Sequence, residues 1–217
     1  MAARVRLRFV TYNIHQCFGG LDAVANTLRA LEPDVATLQE VSNIGGDQAV
    51  ALAAELNMTP ATGPNLFFDG GWYGNATLSR FPVASSRNHD LSVPGREPRG
   101  CLELILEAAP GPLRVFNAHL GLRAHERRRQ ARRLTQLAEG SAPRILAGDF
   151  NDWSRRSVCP SLSRHLGACR PLRSFPARLP LFALDRIYHD PPLRLLRIST
   201  VPSPASDHLP VLAEFDW

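Results

Sequence analysis

Lysine is missing from this sequence altogether. All 25 basic residues are arginine; against 20 acidic residues they leave a formal charge of +5 with the histidines neutral. A basic balance suits a phosphate-bearing partner. A GC-rich gene that writes arginine for lysine gives the same balance, so charge alone does not establish nucleic-acid binding. Cysteine is scarce too. Cys17, Cys101, Cys159 and Cys169 are scattered and form no CxxC pair, which argues against a zinc site. Cys159 and Cys169 could meet in space, but reduced thiols are the expectation for an intracellular chain. No apolar run approaches the roughly 20 residues that cross a bilayer. The first ten residues lack an apolar core and a clear cleavage site, so a signal peptide is not expected and a cytoplasmic location is. Repeats, low-complexity tracts and linkers are also missing. With 217 residues and 44% hydrophobic residues, the chain reads as one domain, 1–217, with a sizeable core. Nothing suggests an obligate oligomer, and a monomer is expected.

What is present is alternation of strand and helix signals. Residues 5–12 and 34–40 read as strands, 21–31 and 47–56 as helices. A β-rich middle follows at 65–68, 75–80, 82–92, 100–107 and 113–119, punctuated by glycine and proline. Residues 123–139 read as a long helix and 144–148 as a short buried strand; a loop-rich segment then carries strands near 183–188, 194–200 and 209–215. At about 100° per residue, Leu120, Ala124, Ala131, Leu134 and Ala138 share one face of the long helix. Arg128, Arg129, Arg132 and Arg133 share the other, as a solvated face. Arg127 falls on the apolar side, where it should pair with a carboxylate or reach past the core. This pattern predicts an α/β fold with two packed sheets and outer helices, an α/β/β/α layering.

The chemistry-bearing residues share one position. The strands ending at Asn13, Glu40, His119, Asp149–Asn151 and Asp185 are apolar until their last residues, and Asp207–His208 opens the final strand. Polar heads at the ends of neighbouring strands converge on one rim. Carboxylates crowded there repel one another and call for a cation. Oxygen donors from Asp, Glu and Asn suit Mg²⁺ or Mn²⁺ better than zinc, leaving His119 and His208 for acid–base or phosphate work. Each residue has an ordinary alternative: a turn for Asn13, a surface charge for Glu40, a satisfied core histidine for His119, an Asx-turn or helix cap for Asp149 and Asn151, a strand cap for Asp207. Six such coincidences at the same structural position are improbable.

The segments TYNIH at 11–15, LQEV at 38–41, GNATLSRFPV at 74–83, NAHLGL at 117–122, AGDFND at 147–152, LDRIY at 184–188 and SDHLPV at 206–211 resemble the endonuclease/exonuclease/phosphatase superfamily, of deoxyribonuclease-I-like fold. They run in that family's order and cover nearly the whole chain, and the nearest resemblance is to small uncharacterised bacterial members. The resemblance implies a four-layer sandwich of two mainly antiparallel sheets. It implies a hydrolase in which Glu40, Asn13 and Asp207 hold Mg²⁺ or Mn²⁺. Asp149 would orient the attacking water and Asn151 would bind the scissile phosphate. His208 would contact that phosphate, oriented by Asp185, and His119 would stabilise the phosphate or protonate the leaving oxygen. Arg99 is the candidate for a further phosphate contact, and Asn75 for the rim.

The substrate is less determined, because one shared core serves many phosphoesters. Basic loops at 93–99, 153–158 and 170–182 favour a polyanion, and Phe67, Phe68, Trp72, Tyr73, Trp153 and Phe175 could stack on bases or pack the loops. A phosphodiesterase acting on nucleic acid is the leading expectation. A hydrolase of phospholipid head groups or small phosphoesters comes second. A catalytically silent phosphate-binding protein is the alternative of another class.

Overall fold

The structure, a computed structural model, describes residues 5–140, 143–153 and 160–217. Cys159 and most of the 153–158 loop lie outside the described residues.

Two six-stranded sheets carry the fold. The first contains β1 (Arg6–Asn13), β2 (Val35–Ser42), β3 (Thr59–Phe68), β4 (Gly71–Ser79), β11 (Arg194–Thr200) and β12 (Val211–Asp216), in the order β11-β12-β1-β2-β4-β3. The second contains β5 (Val83–Asp90), β6 (Gly100–Glu107), β7 (Pro112–His119), β8 (Arg144–Asp149), β9 (Gly167–Ala168) and β10 (Asp185–His189), in the order β5-β6-β7-β8-β10-β9. Each sheet has one parallel pair, β1 with β2 and β7 with β8, and is otherwise antiparallel. The parallel pairs require crossovers. Helix α1 (Leu21–Leu31) supplies the first and α3 (Ala124–Leu137) the second.

Strand alternation sorts side chains into layers. Phe9, Val35, Leu104, Val115, Ile145, Ile187 and Phe215 meet between the sheets. Val10, Tyr12, Ala36 and Leu38 turn the other way, onto α1 and α2 (Gln48–Leu56), and Phe116, Ala118 and Leu146 turn onto α3 and α4 (Pro160–His165). The result is the expected α/β/β/α sandwich. Most elements fall within two residues of their sequence-predicted limits. β3 and β4 are the exceptions: β4 starts at Gly71 rather than 75, and β3 at Thr59 rather than 65, its Pro60 and Pro64 reading as breakers although it is an edge strand, where a missing N–H costs no ladder bond. Helix α4 went unread because it has only six residues. On α3 the four arginines 128, 129, 132 and 133 are exposed as expected, while Ala124 is exposed in the first turn. Arg127 is buried, and its guanidinium donates to the carbonyls of Gly121 and Leu122.

Among the described residues no helix is long and apolar enough to cross a membrane.

Candidate active site at the ends of the parallel strands

The two parallel pairs end at the same edge of the sandwich, and their last residues make the site. Register alone sets half of it: His119 of β7 lies opposite Asp149 of β8, and Asp149 lies opposite Asp185 of β10. Gly148 lets β8 come this close. Its φ is +143°, and a Cβ there would run into the Ala118 backbone of β7. Asn13 then joins the sheets: its amide nitrogen donates to Glu40 Oε1 at 2.9 Å and to Asp149 Oδ2 at 3.1 Å. Glu40 and Asn151 both have positive φ, 57° and 47°, so each chain turns sharply where its side chain enters the cluster.

Asp149 is the hub. Its Oδ1 accepts from the Asn151 backbone N–H at 2.8 Å, while Oδ2 lies 3.5 Å from His119 Nε2 and 3.7 Å from His208 Nε2. His208 Nδ1 is 2.9 Å from Asp185 Oδ2. The Asn151 amide lies 3.2 Å from His119 Nε2 and donates to Leu120 O at 3.0 Å. Arg99 Nη1 stands 3.2 Å from His119 Nδ1 and 3.1 Å from Glu97. A guanidinium can only donate, so Nδ1 accepts and the neutral ring keeps its proton on Nε2, directed to Asp149 Oδ2 rather than to the Asn151 amide nitrogen, itself a donor that is satisfied by Leu120 O. Asp207 is more exposed; it contacts His15 Nδ1 at 3.5 Å, and neighbouring Ser206 donates to Asn13 O at 2.7 Å.

Burial and these neighbours separate the two imidazoles. Burial, helped by the charge of Arg99, pushes the pKa of His119 well below the usual histidine range. Burial also opposes a charged His208, but Asp185, with Asp149 and Asp207 behind it, outweighs this and moves its pKa far upward. Burial raises the Asp149 carboxyl, and Asp185 adds to it. The two shifts run in opposite directions, favouring a neutral His119 and a cationic His208, each within 3.7 Å of the same carboxylate.

The expected residues fare differently. Asn13, Glu40, His119, Asp149, Asn151, Asp185, His208 and Arg99 form one connected cluster. Asn13 turns its amide nitrogen, not its oxygen, toward the carboxylates, so it bridges Glu40 and Asp149 rather than standing as a third oxygen ligand. Asp207 sits at the margin. Among the described residues no group of three or more His, Cys, Asp or Glu is set to hold a metal ion. Asn75 lies deeper than the rim position expected of it: it is fully buried and donates to the carbonyls of Gly100 and Asn117 across the sheet interface. Beneath the site lies a layer that sequence reading missed. Asn117 donates to Leu38 O at 3.0 Å and Ala76 O at 2.8 Å, and Gln39 donates to Asn117 Oδ1 at 2.8 Å. These polar groups lock the sheets in register just below the cluster. The one available signal was position: Gln39 directly precedes Glu40, and Asn117 lies two residues before His119.

A sandwich of this layering with its polar cluster at the strand ends has the deoxyribonuclease-I-like architecture. The chain belongs to the endonuclease/exonuclease/phosphatase family, whose model matches residues 10–208. It is 32% identical to the uncharacterised protein YbhP of Escherichia coli K12, over 83% of each chain. Among solved structures, an endonuclease/exonuclease/phosphatase protein from Beutenbergia cavernae superposes with a TM-score of 0.83 at 22% identity, covering 99% of this chain and 72% of the other. A mannosyl-6-phosphatase from Bacteroides thetaiotaomicron gives a TM-score of 0.77 at 16% identity, over 97% and 100%. Membership of this family indicates phosphoester hydrolysis of the phosphodiesterase or phosphatase type.

Proposed function

We propose that the protein is a monomeric, divalent-metal-dependent phosphodiesterase that cleaves nucleic acid. The observation that supports this best is the convergence of two imidazoles, His119 and His208, on Asp149 Oδ2, with Glu40 one hydrogen-bonded amide away.

The donor set fits a hard cation. Glu40 and Asp207 offer carboxylate oxygens at the mouth, and Mg²⁺ commonly binds through one or two carboxylates while keeping waters and taking substrate phosphate. When bound, the ion would neutralise charge on the phosphate and leaving oxygens. The chain's own residues do the rest. Asp149 accepts a hydrogen bond from the attacking water and orients it in line with the scissile bond. Asn151 and the Nε2–H of His119 donate to phosphate oxygens, and Arg99 holds that tautomer from behind. Cationic His208, fixed by Asp185, stabilises the charge that develops on phosphorus oxygens in the transition state. Asn13 keeps Glu40 and Asp149 at a fixed separation.

Plasmid and single-stranded oligonucleotide, each with Mg²⁺ or Mn²⁺, test the nuclease reading against phospholipid vesicles. Cleavage of either nucleic acid is expected. It should weaken as salt rises, because phosphate contacts release counterions, and His208→Ala should lower it by two orders of magnitude or more. Intact nucleic acid beside cleaved lipid contradicts the reading.

A further inference from the structure

Trp153 follows directly on the Asp149–Asp152 turn, and it does not pack alone. Residues 174–182 double back so that Phe175 and Phe182 face each other as an antiparallel bridge. Ser174 N and Phe175 N both donate to Phe182 O, and Phe182 N donates back to Phe175 O. Both phenyl rings thereby reach the indole, edge-on, with centroids 5.5 Å and 5.1 Å away. Phe175 in turn lies 4.8 Å from the His208 ring. An aromatic wall thus runs from the phosphate end of the site outward.

Rings that only pack a loop bury their faces in it. Here Trp153 stays 42% exposed and Phe182 37%. Beside them opens a cavity of about 700 Å³, lined by Trp153, Leu181 and Phe182 together with Arg173, Arg186 and the Asp152 carboxylate. Its size is that of a small-molecule site. Arg186 leans on Asp152 at 3.7 Å, and Arg173 is exposed. An acyl chain would use the rings but not two guanidinium groups, and a bare phosphate would use the arginines but not the rings. A nucleotide unit offers a flat base and an anion together.

We propose that Trp153, backed by Phe175 and Phe182, is a stacking platform for the nucleobase next to the scissile phosphate, with Arg173 and Arg186 facing the adjoining phosphate. The inference rests on the phosphodiesterase reading but is tested without turnover, so the two can fail separately. Binding of thymidine 5′-monophosphate and of 2-deoxyribose 5-phosphate is measured by calorimetry on wild type, Trp153→Ala and Trp153→Phe, each checked for folding by circular dichroism. The probes share phosphate and sugar and differ in the base. Wild type should prefer the nucleotide by roughly tenfold, a typical yield for one stacked base. Trp153→Ala should abolish the preference and Trp153→Phe keep most of it. Equal binding of both probes by wild type, or a preference that survives Trp153→Ala, overturns the platform.

Discussion

Asp185 sits behind His208, a buried carboxylate on an imidazole that faces the cluster. Through its 2.9 Å contact it fixes which histidine nitrogen looks into the site. Asp185→Asn keeps the shape but removes the charge that holds His208 cationic. Outer partners of this kind are worth 10- to 100-fold, so kcat should fall by about that factor while KM moves little, and kcat should become more sensitive to rising pH as His208 loses its proton more readily. An unchanged pH profile with lower kcat would show a structural role only. At this scale the sequence was readable because each strand is apolar up to its last polar residue. What it hid were the partners. Asn13 bridging two carboxylates, and Asn75 and Asn117 pinning the sheets, depend on contacts between strands far apart in the chain. Polar residues facing inward look, in the sequence, like ordinary strand alternation.

Elements are held by a second set of arginines. Arg114 of β7 donates to Glu103 of β6 at 3.0 and 2.6 Å and to the carbonyls of Leu137 and Glu139 at the end of α3. Arg8 of β1 likewise donates to Leu31 O, the last residue of α1. In both crossovers a cation from the strand meets the carbonyl end of the helix that follows it, where the helix dipole favours positive charge. Glu103 also meets His89 of β5 at 2.7 Å. Burial pushes the Glu103 carboxyl upward, but hydrogen bonds from Arg114 and His89 outweigh it and leave the pKa below the ordinary value. A lowered folded pKa stabilises the protein above the unfolded value, about 4.3, and that stability is lost as pH falls through the folded value. Glu103→Gln should therefore cost about 1 kcal/mol in urea unfolding at pH 7, and the gap should close below about pH 4. A gap that does not depend on pH would contradict the ionic account. Element limits were legible wherever period and punctuation agreed. They failed at β3, where edge position rather than sequence makes two prolines tolerable, at the start of β4, its hairpin partner, and at α4, too short for a period.

Across the whole molecule the two sheets repeat one plan. Each places a parallel pair joined by a helix at its centre and flanks it with antiparallel neighbours. The sequence carries no detectable repeat, because only the layering is duplicated and the residues filling it are not. Packing the two plans face to face brings the ends of β1, β2, β7 and β8 to one edge, and the cluster follows from that. In the proposed function this edge hydrolyses phosphodiesters with a divalent ion held at Glu40. Hydrolysis of bis(p-nitrophenyl) phosphate, followed with Mn²⁺ and with EDTA for wild type and Glu40→Ala, addresses it most directly. Wild type should turn over with Mn²⁺ and not with EDTA, and Glu40→Ala should lose two orders of magnitude or more. Turnover that persists in EDTA or in folded Glu40→Ala would contradict it.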